Sequence, residues 1–391
     1  MSSSALMSIG TRAMTASYAA LQATGNNIAN ANTAGYSRQQ VELATAGGQY
    51  TGMGFFGRGV DVTTVSRMHD AFLVREAELT QSIAAGDSAR LAQLEQLEQV
   101  FGTGEAGLGY QSAQLLNAFA DVASRPQDPA SRQVALARAQ DAAAAFRNAG
   151  SQIETLQAGV TSDLKTSVKA VNALARTVAD LNRQIANALG TGHTPNDLLD
   201  QRDQAIAEIG RYVQVSTIRA DDGSMNLFIG GGQRLVLGGE ATPLVAMADP
   251  YDPSQVHLGV SEGGTTRLVP DATLAGGSIA GLLRFQNEDL RDARNLVGQM
   301  AAALAGAVNT QQSLGLDLTT PTGRPGTDLF AVGAPRVQPA STNAGSAVVN
   351  LATADPKLLR ASDYELRFDG SNYTLTRLGS SDPAQTFTPA A

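Results

Sequence analysis

The chain has 391 residues, too many for one compact core and enough for two or three domains of about 100–200 residues each. It contains no Cys and no Trp, which excludes a disulfide framework, a thiolate metal site and a cysteine nucleophile. Its net charge of −8 is a poor footprint for nucleic acid, and no run approaches the ~18 consecutive apolar residues of a membrane span.

The N-terminus, MSSSALMSIGTRAMTAS, lacks the basic n-region and continuous apolar h-region of a Sec signal peptide. Through residue 60 the only charged side chains are Arg12, Arg38, Glu42 and Arg58. Such a segment buries too little apolar area alone to offset its ordering entropy, yet lacks the charge of a solvated tail. It reads as a segment awaiting a partner. Residues 4–31 carry helical spacing, with Leu6, Ile9, Ala13, Ala16, Ala20, Ala23 and Ile28 at steps of three or four. The small residues in that stripe permit close helix approach and contribute little burial each.

Residues 32–65 break the pattern with Gly and Asn. They are expected to form an extended loop or hairpin with short strands at Gln40–Leu43 and Val60–Val65. Helix follows from about residue 67 to 190. One helix carries Phe72 through Phe101 and tolerates Gly86, a Gly-rich loop follows, and a second helix carries Leu115, Leu116, Phe119 and Val122. Arg125–Pro129, RPQDP, is expected to end it. The third is the longest: apolar residues from Ile153 to Leu189 recur with a mean step of 3.6, spanning roughly 54 Å. Thr194-Pro195-Asn196-Asp197 looks like a helix start with Thr194 as cap. Strands then occupy about 213–275, with Asp221–Ser224 a hairpin turn, before helix returns over Ser278–Leu314. Tyr364–Leu378 reads as a hairpin.

No catalytic constellation emerges. His69, His193 and His257 are far apart and lack ligand spacing. Gly57-Arg58-Gly59 and Gly230-Gly231-Gly232 read as turns, because no Lys-Ser/Thr follows and no strand passes into a helix there. Asp197, Asp200 and Asp203 share a helix face beside Arg202 and Arg211, which reads as a solvated, ion-paired face. Neither a cofactor nor a metal is expected, and the chain is not expected to be an enzyme.

The segment Gly25–Gln39, GNNIANANTAGYSRQ, is an Asn-rich helix end followed by a glycine, an aromatic and a cation. It resembles the N-terminal motif of the bacterial flagellar rod, hook and hook-associated proteins. Gly57–Glu76, NDLLDQRDQAIAEI, DDGSMNLFIGGGQRLVLGG and the helix opened by GGSIAGLLRF resemble the FlgK family of hook-associated proteins in particular. The resemblance covers most of residues 1–330.

It implies an α+β, multidomain fold: an N-terminal coiled-coil helix, a long helical bundle domain with a β-hairpin insertion, and an outer β-rich domain. The expected domains are 1–60, 61–325 with the insertion at about 213–275, and 326–391. It implies a structural subunit that self-assembles into a ring and joins hook to filament. The implied partners are copies of itself, the hook protein, an adjacent junction protein, the filament and an export chaperone; the implied location is extracellular, reached through the flagellar type III apparatus. The assembly interface is expected at Leu6, Ile9, Ala13, Ala16, Ala20, Asn26, Asn27, Ile28, Asn30, Asn32, Thr33, Gly35, Tyr36 and Arg38, with Tyr36 and Arg38 steadying the loop. The family closes with a C-terminal helical segment, which the chaperone usually binds. Nothing after Leu314 has long helical periodicity, so the sequence is read as stopping before it. A peptidoglycan hydrolase is the alternative from another class, and an adhesin module is compatible with residues 330–391.

Overall fold

The computed structural model describes residues 3–50, 52, 54–191, 194–317, 321–345 and 347–388; His193 lies outside them. Helix α1 (Ser3–Ala29) packs on a two-stranded antiparallel ribbon of β1 (Gln39–Thr45) and β4 (Val60–Arg67). The ribbon register runs from Gln39 opposite Arg67 to Thr45 opposite Val60, with a bulge after Glu42. A smaller hairpin, β2 (Gln49–Tyr50) and β3 (Phe55–Phe56), sits at its tip. Gly59 lies against Ile9 of α1 and has φ +92°, a conformation that favours glycine.

Helix α2 (Ala71–Phe101) runs unbroken through Gly86, as the spacing predicts. Helix α3 (Leu108–Ser124) follows a short 3₁₀ turn, Gly104–Ala106. RPQDP ends α3 and also opens α4 (Pro129–Gly190). The Asp128 carboxylate accepts from the N–H groups of Ala130 and Ser131. Pro129 occupies the first turn, where its missing N–H costs nothing. The 62 residues of α4 extend about 93 Å. Its predicted stripe is the buried one: Ile153, Val160, Leu164, Val168, Val171, Val178, Leu181 and Ile185 are all covered.

Helix α5 spans Asn196–Tyr212. It starts within Thr194–Asp197 as expected, but the cap is not Thr194: the capping position is Pro195, without a side-chain capping bond. Asn196 in the first turn donates through Nδ2 to the Val65 carbonyl at 2.7 Å, which ties the start of the helix to the ribbon. A four-stranded antiparallel sheet follows, formed by β5 (Ser216–Arg219), β6 (Met225–Ile229), β7 (Gln233–Leu237) and β8 (Glu240–Ala241). A three-stranded sheet follows, ordered β11 (Thr265–Leu268), β10 (Val256–Glu262), β9 (Leu244–Ala248). The turn at Asp221–Ser224 joins β5 to β6 as expected, and Gly230–Gly232 is a turn between β6 and β7.

The predicted helix at 278–314 is interrupted. Helix α6 (Ser278–Arg284) passes into a π turn, Phe285–Leu290, before α7 (Arg291–Ser313). Gln286 in that turn is buried. Its amide accepts from Gln157 (3.1 Å) and the Val256 N–H (3.3 Å) and donates to the Val256 carbonyl (3.1 Å). A buried amide demands such partners, and the apolar spacing carries no sign of them. The last sheet is β12 (Tyr364–Phe368), β13 (Tyr373–Arg377) and β14 (Gln385–Phe387).

Contacts divide the chain into two compact units, each discontinuous in sequence. The first holds residues 1–88, 164–247 and 257–281; the second holds 89–163, 248–256 and 282–391. Leu181, Ile185 and Leu199 form a core cluster in the first, and Leu115, Ala139 and Ala142 form one in the second.

Candidate functional site

The Asn-rich motif lies in the first unit, and its residues divide between two tasks. The first task is to hold the chain's own backbone. Asn27 sits in the last turns of α1, within reach of the start of the ribbon. Its Oδ1 accepts from the Gln39 N–H (2.8 Å) and the Tyr36 hydroxyl (2.9 Å), and its Nδ2 donates to the Gln39 carbonyl (2.8 Å). An asparagine offers this mixture of donor and acceptor in one side chain. Asn30 folds back as its Nδ2 donates to the Asn26 carbonyl, and it accepts from the Thr33 hydroxyl. Gly35 adopts φ +81°, and a Cβ there would meet Gln204 at 3.2 Å.

Tyr36 turns onto Asn27. Partial burial first, then the charges of Asp200 and Asp197, raise its pKa above the ordinary tyrosine value. Its hydroxyl therefore stays protonated and able to donate. Arg38 contributes through its backbone: its carbonyl accepts from the Met68 N–H at 2.8 Å, while its side chain is exposed. Asn26 and Asn32 are exposed.

The loop continues onto α5. The Ser37 N–H donates to Asp200 Oδ2 at 3.1 Å. Arg67 bridges Asp200 (2.6 Å) and Asp203 (3.0 Å). Arg202, also buried, pairs with Asp203 (3.2 Å) and donates to the Gly223 carbonyl (2.9 Å). Burial holds its pKa below the ordinary arginine value, with the charge of Asp203 opposing that. The face expected to be solvated is therefore ion-paired but mostly covered: Asp200 is buried, Asp203 half-buried and Asp197 exposed. The two covered carboxylates are neutralised by arginines, which is structural chemistry.

The second task falls to the other side of α1. Ile9, Ala16, Ala23 and Asn30, seven residues apart, are buried or half-buried. Met7, Met14, Leu21 and Ile28, also seven apart, are 75%, 76%, 70% and 73% exposed. Gly10, Ser17 and Thr24 follow each of the first three at three residues, so the exposed face alternates large and small. A seven-residue apolar repeat is the pattern by which helices pair in a coiled coil. The expected interface residues sit on both faces: Ile9 and Ala16 are turned inward, whereas Leu6, Ala13, Ala20 and Ile28 are exposed. The expected interface omits Met7, Met14 and Leu21, although the repeat of seven marks all three in the sequence.

Among the described residues no group of three His, Cys, Asp or Glu could hold a metal ion, and no helix is long and apolar enough to cross a membrane. His257 pairs with Asp271 at 3.2 Å, and His69 is exposed.

Residues 94–330 match the flagellar hook-associated protein FlgK helical domain. The chain belongs to the FlgK family of flagellar hook-associated proteins. Residues 339–391 match the D2-like domain of flagellar hook-associated protein 1, and residues 7–36 match the flagella basal body rod protein family. The chain is 32% identical to flagellar hook-associated protein 1 of Escherichia coli, over 99% of this chain and 71% of that one. It is 33% identical to the Salmonella typhimurium protein of the same name, over 96% of this chain and 68% of that one. The structure of the flagellar hook junction protein FlgK from Burkholderia pseudomallei matches with TM-score 0.74 and 33% identity. That match covers 81% of this chain, and the chain spans 57% of the solved one. The family places the protein in the flagellum, among its structural proteins.

Proposed function

We propose that this chain is a structural subunit that joins hook to filament by self-assembly into a ring, and that it has no catalytic role. The observation that supports this most is the outward stripe of α1. Large apolar side chains held in water are unfavourable, and a regular row of them marks an interaction surface. A helix-paired tube would cover that row while the opposite face keeps its grip on the ribbon. The partners on this reading are further copies of the chain, the hook protein, an adjacent junction protein and the filament. Before assembly an export chaperone accompanies the subunit, which leaves the cell by the flagellar type III route. Ile28 ends the stripe, and the exposed motif residues Asn26 and Asn32 are assigned to the same surface.

The test is complementation of a strain lacking the gene with a chain carrying Met14→Asp and Leu21→Asp. Both positions are exposed, so the purified variant keeps its melting transition, and cells should show hooks without filaments. Normal filaments on such cells would overturn the proposal.

A further inference from the structure

The motif loop is held from outside by residues far from it in sequence. Ser37 and Asp200 are 163 positions apart, and their hydrogen bond is 3.1 Å. Asp200 and Arg67 side chains are each 10% exposed, and their ion pair is 2.6 Å. Arg67 carries the contact on to Asp203. Asn196 grips the Val65 carbonyl, and Gln204 fills the space beside Gly35. Both ends of the ribbon segment, the loop at 35–37 and the strand end at 65–67, thus converge on the single helix α5.

We infer that α5 is the template that shapes the assembly loop, with Asp200 and Arg67 as its positioning residues. The helical part of the N-terminal segment needs only local hydrogen bonds. The loop Thr33–Arg38 needs a carboxylate that becomes available only once α5 has folded. Local latching by Asn27 fixes Gln39 and Tyr36; Asp200 fixes Ser37 between them. The order of the loop is therefore tied to the folding of α5, and a subunit whose α5 is unfolded presents a misshapen motif. The consequence for assembly rests on the function proposed above, whereas the positioning itself does not.

The test is amide hydrogen exchange on the full chain with Asp200→Ala, read at Ser37 and, as an internal control, at Ile206 and Ile209 in the core of α5. Loss of one charged, largely covered hydrogen bond should speed exchange at Ser37 by about tenfold or more, with the core amides still protected. Asp200→Asn keeps an amide oxygen for the Ser37 N–H and should restore part of the protection. Should Asp200→Ala fail to fold, Arg67→Lys, which cannot bridge both carboxylates, should speed Ser37 exchange in the same direction. Unchanged exchange at Ser37 with a protected core would overturn the positioning role. Faster Ser37 exchange with normal filaments on complemented cells would overturn the link from loop shape to assembly.

Discussion

Asn27→Ala removes three hydrogen bonds at once: two to the Gln39 backbone and one to the Tyr36 hydroxyl. The groups left behind are half-buried, so water reaches part of them and the lower half of the usual range applies. At roughly 0.5–1 kcal/mol for each of the three bonds, the latch should weaken by about 1.5–3 kcal/mol. The loss is local, because the core cluster around Leu181, Ile185 and Leu199 does not include Asn27. Native-state hydrogen exchange at the Gln39 amide is therefore the assay, and its rate should rise roughly 12- to 150-fold. Ile28→Ala, one residue along and 73% exposed, should leave that rate unchanged and act only on assembly. A change below about threefold for Asn27→Ala would refute the view that the motif's central asparagine is a backbone latch.

Other outcomes follow from the packing of the first unit. Gly281→Ala would drive a Cβ into the Gly86 carbonyl oxygen, forcing α2 and α6 apart. Its denaturant midpoint should fall by an amount equivalent to about 3 kcal/mol, and an unchanged midpoint would contradict the close crossing. Arg202→Ala removes one of the two arginines on Asp203, leaving Arg67, and takes the donor from the Gly223 carbonyl; it should cost about 1–3 kcal/mol in the same assay, and a cost under about 0.5 kcal/mol would show that water already reaches the carbonyl. Glu78 has its pKa raised by burial first and by Asp203 second. A folded pKa above the unfolded one gives stability that is present in acid and lost as pH rises through the folded value. Glu78→Gln should therefore be more stable than the natural chain at neutral pH, with the difference vanishing in acid. Equal or lower stability at neutral pH would reject that assignment.

What the sequence reveals and what it hides has a physical pattern. The stripe from Ile153 to Leu189 is legible because α4 buries one face along its whole length, and burial of one face leaves a 3.6-residue record. The strands at β5–β7 are legible through their glycine turns. Thr194-Pro195-Asn196-Asp197 marks the start of α5 but not its tie to the ribbon, because Asn196 Nδ2 donates to Val65, 131 residues away, and no local signal encodes such a partner. The π turn is hidden for the same reason: Gln286 is held by Gln157 and Val256. On α1, abundant alanine makes almost any step of three or four look like a stripe. The expected interface therefore straddles two faces, and only the larger residues at intervals of seven separate them. The motif itself was visible as Asn, Gly and Tyr in a recognisable order, but its division into inward latch and outward surface required the ribbon's position.

Because the chain contains no cysteine, a single introduced thiol reports its own neighbours. Flagella isolated from cells carrying Met14→Cys, treated with a short bifunctional thiol crosslinker, measure directly whether the outward face of α1 meets another copy of the chain. The account predicts a crosslinked dimer with Met14→Cys and none with Ala16→Cys, whose side chain is turned onto the ribbon. No crosslink from Met14→Cys in filamented cells, or equal crosslinking from both positions, would contradict it.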